Sequence, residues 1–169
     1  VFAEAERDLG KWKKSADPFV VDPIPVIPPL TKNEEVIVEA GVGAVTVFVQ
    51  WQGPSVGADP KSTYAADVFS DVLNDPGSNF QQRLVDSGLW QSMGVNYYTL
   101  NHVGPITISG QTSPQNLRKA LAALEAEIKK FNDPGYFDVG ELEAVKAHRA
   151  VTSAFDRERA SGFAHTLGF

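Results

Sequence analysis

Met93, Val95 and Tyr97 alternate with small or polar residues, Asn101-His102-Val103-Gly104-Pro105 breaks the run, and Ile106 and Ile108 resume it. That period of two marks a pair of strands joined as a hairpin. A few residues later the period changes, with Leu117, Leu121, Leu124, Ile128 and Phe131 recurring at steps of four, three, four and three. This is the spacing of one apolar helical face. A chain that switches period this sharply is restricted to sheets packed against helices.

The same alternation occurs earlier. Val36 and Val38, then Val45, Val47, Val49 and Trp51, flank Ala40-Gly41-Val42-Gly43, which predicts a first hairpin with a glycine turn. Between the two hairpins, Tyr64, Val68 and Val72 with Ala65, Phe69 and Leu73 give helical spacing until Asn74-Asp75-Pro76-Gly77 stops it. A short second helix is predicted over 78–88, with Phe80 and Leu84 one turn apart. Ser113-Pro114 reads as an N-cap followed by proline at the first helical position. Asp133-Pro134-Gly135 ends that helix, and Asp138 with Glu141 has capping-box spacing for a last helix running through Leu142 and Val145. The order ββ-αα-ββ-αα predicts the α+β class: an antiparallel sheet of two or more hairpins with helix pairs packed on one face.

Five of the eleven prolines (Pro18, Pro23, Pro25, Pro28 and Pro29) lie among Val20, Val21, Ile24, Val26 and Ile27. Proline fixes φ and removes donors, so 15–33 is expected to be an extended connector whose apolar residues lie against a surface. Residues 1–14 then read as the tail of a preceding domain, an amphipathic helix closing at Gly10, and 34–169 as the main domain, truncated at its end.

Composition removes several function classes. The absence of cysteine excludes disulfides, thiolate zinc sites and cysteine nucleophiles. With 15 Lys+Arg against 21 Asp+Glu, a net charge of −6, and no basic run, a nucleic-acid partner is not expected, because such binding rests on clustered cations. No stretch reaches the roughly 18 apolar residues of a membrane span.

The titratable candidates are sparse. His102, His148 and His165 are too far apart in sequence for the i, i+4 spacing of a zinc-binding helix. His102 is expected in a solvated hairpin loop, His148 as a partly buried packing residue on the last helix, and His165 carries no signal either way. Gly41-Val42-Gly43 lacks the third glycine of a dinucleotide fingerprint, and no Gly-x-Ser-x-Gly elbow occurs. Asp156-Arg157-Glu158-Arg159 reads as a solvated charged face.

The order of segments resembles a known family. Ser62-Thr63-Tyr64-Ala65 through Asn74, then Ser78-Asn79-Phe80-Gln81-Gln82-Arg83-Leu84 through Leu89, is similar to a stretch of the insulinase or pitrilysin-like zinc peptidases, relatives of the mitochondrial processing peptidase. Gly110-Gln111-Thr112-Ser113-Pro114-Gln115-Asn116-Leu117 and Asp138-Val139-Gly140-Glu141-Leu142 follow the same pattern. The resemblance covers about 35–169 and rests on shared order and spacing.

In that family a catalytic domain with an inverted His-x-x-Glu-His zinc motif pairs with a metal-free domain, and the two close a chamber around unfolded peptide. This chain has no His-x-x-Glu-His. The resemblance therefore implies the metal-free C-terminal domain, with no catalytic, cofactor-binding or metal-ligating residue of its own. It implies zinc in a catalytic homologous domain of the same chain or of a partner subunit, a parent that is a zinc metalloendopeptidase, and peptide as the substrate. The family's substrate-holding Arg and Tyr fall at Val85 and Gln91 here, and Arg83 is displaced by about 200° around a helix. That departure leaves a parent that draws its anchors from a partner, or a parent that is wholly non-catalytic. Some bacterial relatives are exported, which points toward the periplasm without fixing localisation. The rival reading is an α+β interaction or structural subunit with no peptidase role.

Overall fold

A computed structural model describes residues 2–25 and 27–168. Its central element is a three-stranded antiparallel sheet in the order β1-β3-β2, formed by β1 (Val45–Gly53), β2 (Ser92–Tyr97) and β3 (Gly104–Thr112). The register pairs Val49 with Ile108 and Val95 with Ile108, so apolar side chains of all three strands meet on one face. The α+β class holds, and the second hairpin is β2-β3.

The first hairpin does not form. Val36, Ile37 and Val38 lie outside any strand and are each more than three-quarters exposed. Ile37 between the two valines, with Glu34, Glu35 and Glu39 around them, leaves no single apolar face to bury, and a short strand without one gains too little to pair. β1 pairs instead with the distant β3.

Helices cover the apolar face. They are α3 (Pro60–Asn74), α4 (Asn79–Gln81) continued by a π turn (Gln82–Asp86), and α5 (Leu117–Lys129), while α6 (Val139–Glu158) packs on α3. Asp59 caps α3 by accepting from Ser62 N, with Pro60 opening the helix. Leu73, Phe80, Leu84, Val95, Ile108 and Leu124 are nearly or fully buried and form the core. Gly88 (φ 75°) and Gly135 (φ 82°) occupy the left-handed region, where any side chain would strain the turn.

Two helical expectations need correction. Ser113 does not start a helix, because α5 begins at Leu117. Asn116 N instead donates to Ser113 O at 3.0 Å and Ser113 Oγ at 3.3 Å, making a separate turn. The buried face of α5 is Ala120, Leu124 and Glu127, while Leu121 is 40% exposed. Hydrophobicity alone cannot rank a small alanine, or a carboxylate with partners, above a leucine.

The capping box at the start of α6 is present. Asp138 accepts from Gly140 N, and Glu141 Oε2 accepts from Asp138 N at 3.3 Å. Asp138→Ala should lower stability by about 1 kcal/mol, read as a shift in the urea midpoint, because two helix-end donors lose their acceptor.

The front of the chain holds α1 (Phe2–Leu9), which ends where Gly10 N donates to Glu6 O at 2.9 Å, and a helical turn, α2 (Pro18–Val21), capped by Asp17. The connector is thus not extended throughout. Val20, Val21, Ile24, Ile27 and Leu30 are exposed rather than laid on a surface, and Val26 lies outside the described residues. What holds the connector is polar: Gln52 Oε1 accepts from Leu30 N and Gln52 Nε2 donates to Pro28 O, both at 2.9 Å. α7 (Ala160–Gly168) follows α6. Among the described residues no helix is long and apolar enough to cross a membrane.

Candidate functional site

The sheet presents its second face to the outside. Successive side chains alternate across a strand, and away from the Gln52–Pro105 end, where Gln52 holds the connector, the outward set is Thr46, Phe48 and Gln50 from β1, Ser92, Gly94 and Asn96 from β2, and Thr107, Ser109 and Gln111 from β3. None of these nine residues carries a charge. Eight are small or hydrogen-bonding, and Phe48, 69% exposed, is the one large apolar group among them. Gly94 carries no side chain beside Ser109, which itself separates it from Phe48, and a shallow hollow of about 390 Å³ lies there, bordered by Thr46, Phe48, Ser92, Met93 and Ser109. A second surface hollow of about 590 Å³ lies along α1, between Phe2 and Gly10, away from the sheet.

Behind the sheet, a buried carboxylate organises the helices. Glu127, 3% exposed, receives Arg83 at 2.8 Å and the Tyr136 hydroxyl at 2.9 Å on Oε1, and Lys130 at 2.8 Å on Oε2. Burial alone would raise the Glu127 carboxyl, but the bonds from Lys130, Arg83 and Tyr136 outweigh it and hold the pKa below the usual range. The Tyr136 phenol moves upward, first because it is buried and then because ionising it would face the Glu127 carboxylate. Glu141 Oε1 extends the network by accepting from Asn79 N at 2.9 Å and Asn79 Nδ2 at 3.0 Å, which joins the start of α6 to the start of α4. With both oxygens of Glu127 engaged by cations and a phenol, this cluster is a fastening and offers no free base.

The residues singled out in the sequence are scattered. His102 is exposed in the β2-β3 loop, and His165 is exposed on α7. His148 is exposed on α6, contrary to the expectation of partial burial. Val145 is the one buried residue of α6 and every residue from 146 to 152 is exposed, so the core ends along the helix before position 148. The charged run from Asp156 to Arg159 is exposed throughout. Val85 packs against the core, and Gln91 is exposed at the start of β2, its N–H donating to Gln111 O at 2.7 Å. Arg83 is committed to Glu127 and to Asn79, and its guanidinium lies 5.9 Å from the centre of the Tyr136 ring. Among the described residues no three His, Asp or Glu side chains gather closely enough to hold a metal ion.

The Glu127 cluster escaped sequence reading. Its one available signal was an acidic residue recurring on the apolar side of a helix, and only the fold shows which cations meet it.

Comparison with known proteins bears on both layers. Residues 1–148 match the family model described as the peptidase M16 inactive domain. No match was found among curated proteins. The crystal structure of a protease from Helicobacter pylori superposes with a TM-score of 0.71 at 20% identity, over 99% of this chain and 41% of that one. At that identity the likeness concerns the fold, and this chain spans about 41% of the length of that protease.

Proposed function

Because the chain belongs to the peptidase M16 inactive-domain family, we propose that it serves as the non-catalytic half of a zinc-dependent peptidase, closing a peptide-holding chamber against a homologous domain that carries the metal. The observation behind this reading is the family match over residues 1–148. The one-sided sheet supports it. Helices pack on one face, and the other offers hydroxyl and carboxamide groups without charge. Such groups hydrogen-bond the main chain of a peptide whatever its sequence and impose no charge selection on it.

The residues of this chain do not fit zinc. His102, His148 and His165 sit on a loop and two different helices, and no acidic residues complete a ligand set around any of them among the described residues. No hydrolytic step is therefore assigned to this chain. Water activation belongs to the partner domain, and this domain contributes enclosure and positioning.

The test has two arms. Zinc titrated into the chain should give no stoichiometric high-affinity isotherm, as expected without clustered ligands. Adding the chain to the homologous metal-bearing domain should raise hydrolysis of an unfolded peptide, and a chelator should abolish it. A tight one-to-one zinc isotherm, chelator-resistant cleavage by this chain alone, or a metal-bearing domain indifferent to its addition would each overturn the reading.

A further inference from the structure

The sheet ends on one side at β2, whose outer edge pairs with no other strand among the described residues. Tyr98 N donates to Pro105 O at 3.0 Å and Gln91 N to Gln111 O at 2.7 Å, so the carbonyls of these two β3-side residues point toward β2. By the alternation of an antiparallel ladder, Ser92, Gly94 and Asn96 direct their main-chain groups at β3, and Met93, Val95 and Tyr97 direct theirs outward. Outward-facing groups of this kind are a template for another strand. Proteins usually guard them with charge or proline, and Ser92–Tyr97 contains neither.

A side chain stands there instead. Val95 N donates to Asn74 Oδ1 at 2.8 Å, and Asn74 Nδ2 donates to Val95 O at 2.6 Å. This reciprocal pair is what a residue of a neighbouring strand would make. Gln81 Nε2 donates to Met93 O at 3.4 Å and to Leu73 O at 2.8 Å, covering the next outward carbonyl. Asn74 is the last residue of α3, so its carboxamide reaches the edge from a rigid mount.

We propose that Asn74, backed by Gln81, acts as a surrogate strand residue that closes the β2 edge to extended peptide. The hydrogen bonds of Asn74 and Gln81 carry this role whether or not the domain serves a peptidase. Without the Asn74 carboxamide, the edge from Met93 to Tyr97 becomes an acceptor for an uncharged extended segment, which would bind through its main chain.

The experiment uses Asn74→Ala and Asn74→Asp in the 169-residue chain, amide hydrogen exchange, and a probe peptide of alternating valine and threonine with blocked ends. Exchange at Ile108, which sits in the central strand, reports that the sheet is intact. In Asn74→Ala the Val95 amide should exchange roughly tenfold faster or more, since it loses its acceptor, and the probe should restore its protection. The parent should show no probe-dependent change at Val95. Asn74→Asp keeps an acceptor for Val95 N and adds a charge at the edge, so it should keep Val95 protected and refuse the probe. Unchanged exchange in Asn74→Ala, an opened edge that the probe fails to protect, or probe binding at Val95 in the parent or in Asn74→Asp would overturn the proposal.

Discussion

Trp90→Ala is expected to remove about 4 kcal/mol of stability, the range seen for large aromatic truncations in a core. The indole is 1% exposed and sits just before β2, with Nε1 donating to Ala120 O at 3.2 Å. It therefore wedges the sheet against α5, and its removal takes a large buried ring out of the core. Loss of this size is a large part of the total stability of an ordinary domain. The measurement is a urea titration, in which the midpoint should fall while the slope stays near that of the parent. Leu121→Ala is the comparison. Its side chain belongs to the apolar stripe visible in the sequence but is 40% exposed, so it should cost under about 1 kcal/mol. Equal losses at the two positions would contradict the packing described here.

Glu127→Ala should cost about 3 kcal/mol, because it removes charge-assisted bonds to Arg83 and Lys130 and leaves the buried Tyr136 hydroxyl without its acceptor. Arg83 and Lys130 are themselves nearly half exposed, so water takes over much of their loss, and the buried phenol dominates. Tyr136→Phe should therefore recover part of the stability lost in Glu127→Ala, since the double variant has no orphaned hydroxyl. The pH dependence has a definite sign. The folded-state pKa of Glu127 is lowered, so its contribution is complete above the unfolded-state value of about 4.3 and disappears as pH falls through the lower folded value. The parent should lose stability between neutral pH and pH about 3 more steeply than Glu127→Ala. Parallel pH profiles would remove Glu127 from the acid response.

Much of the helical layer was legible in the sequence because its signals are local. The stop at Asn74-Asp75-Pro76-Gly77 coincides with the end of α3, and the Asp138/Glu141 capping box opens α6. Each depends on bonds among residues a few positions apart. The valine pattern at 36–38 failed for the complementary reason: a strand is made by its partner, and β1 found that partner in β3, far along the chain. His148 failed in the same way, since a single helix period cannot tell how far along a helix the core extends.

The candidate site divides along the same line. Sequence alone established that no cysteine chemistry and no His-x-x-Glu-His motif is present, and it carried the resemblance that led to the family. These are matters of residue identity and order, which folding does not alter. The tertiary structure decided that nine uncharged residues share the outward face of the sheet, that Glu127 gathers Arg83, Lys130 and Tyr136, and that Asn74 occupies the edge of β2. Each of these joins residues from separate elements, and their distances are set by how helices settle on the sheet, a balance of packing among many side chains that no local pattern encodes.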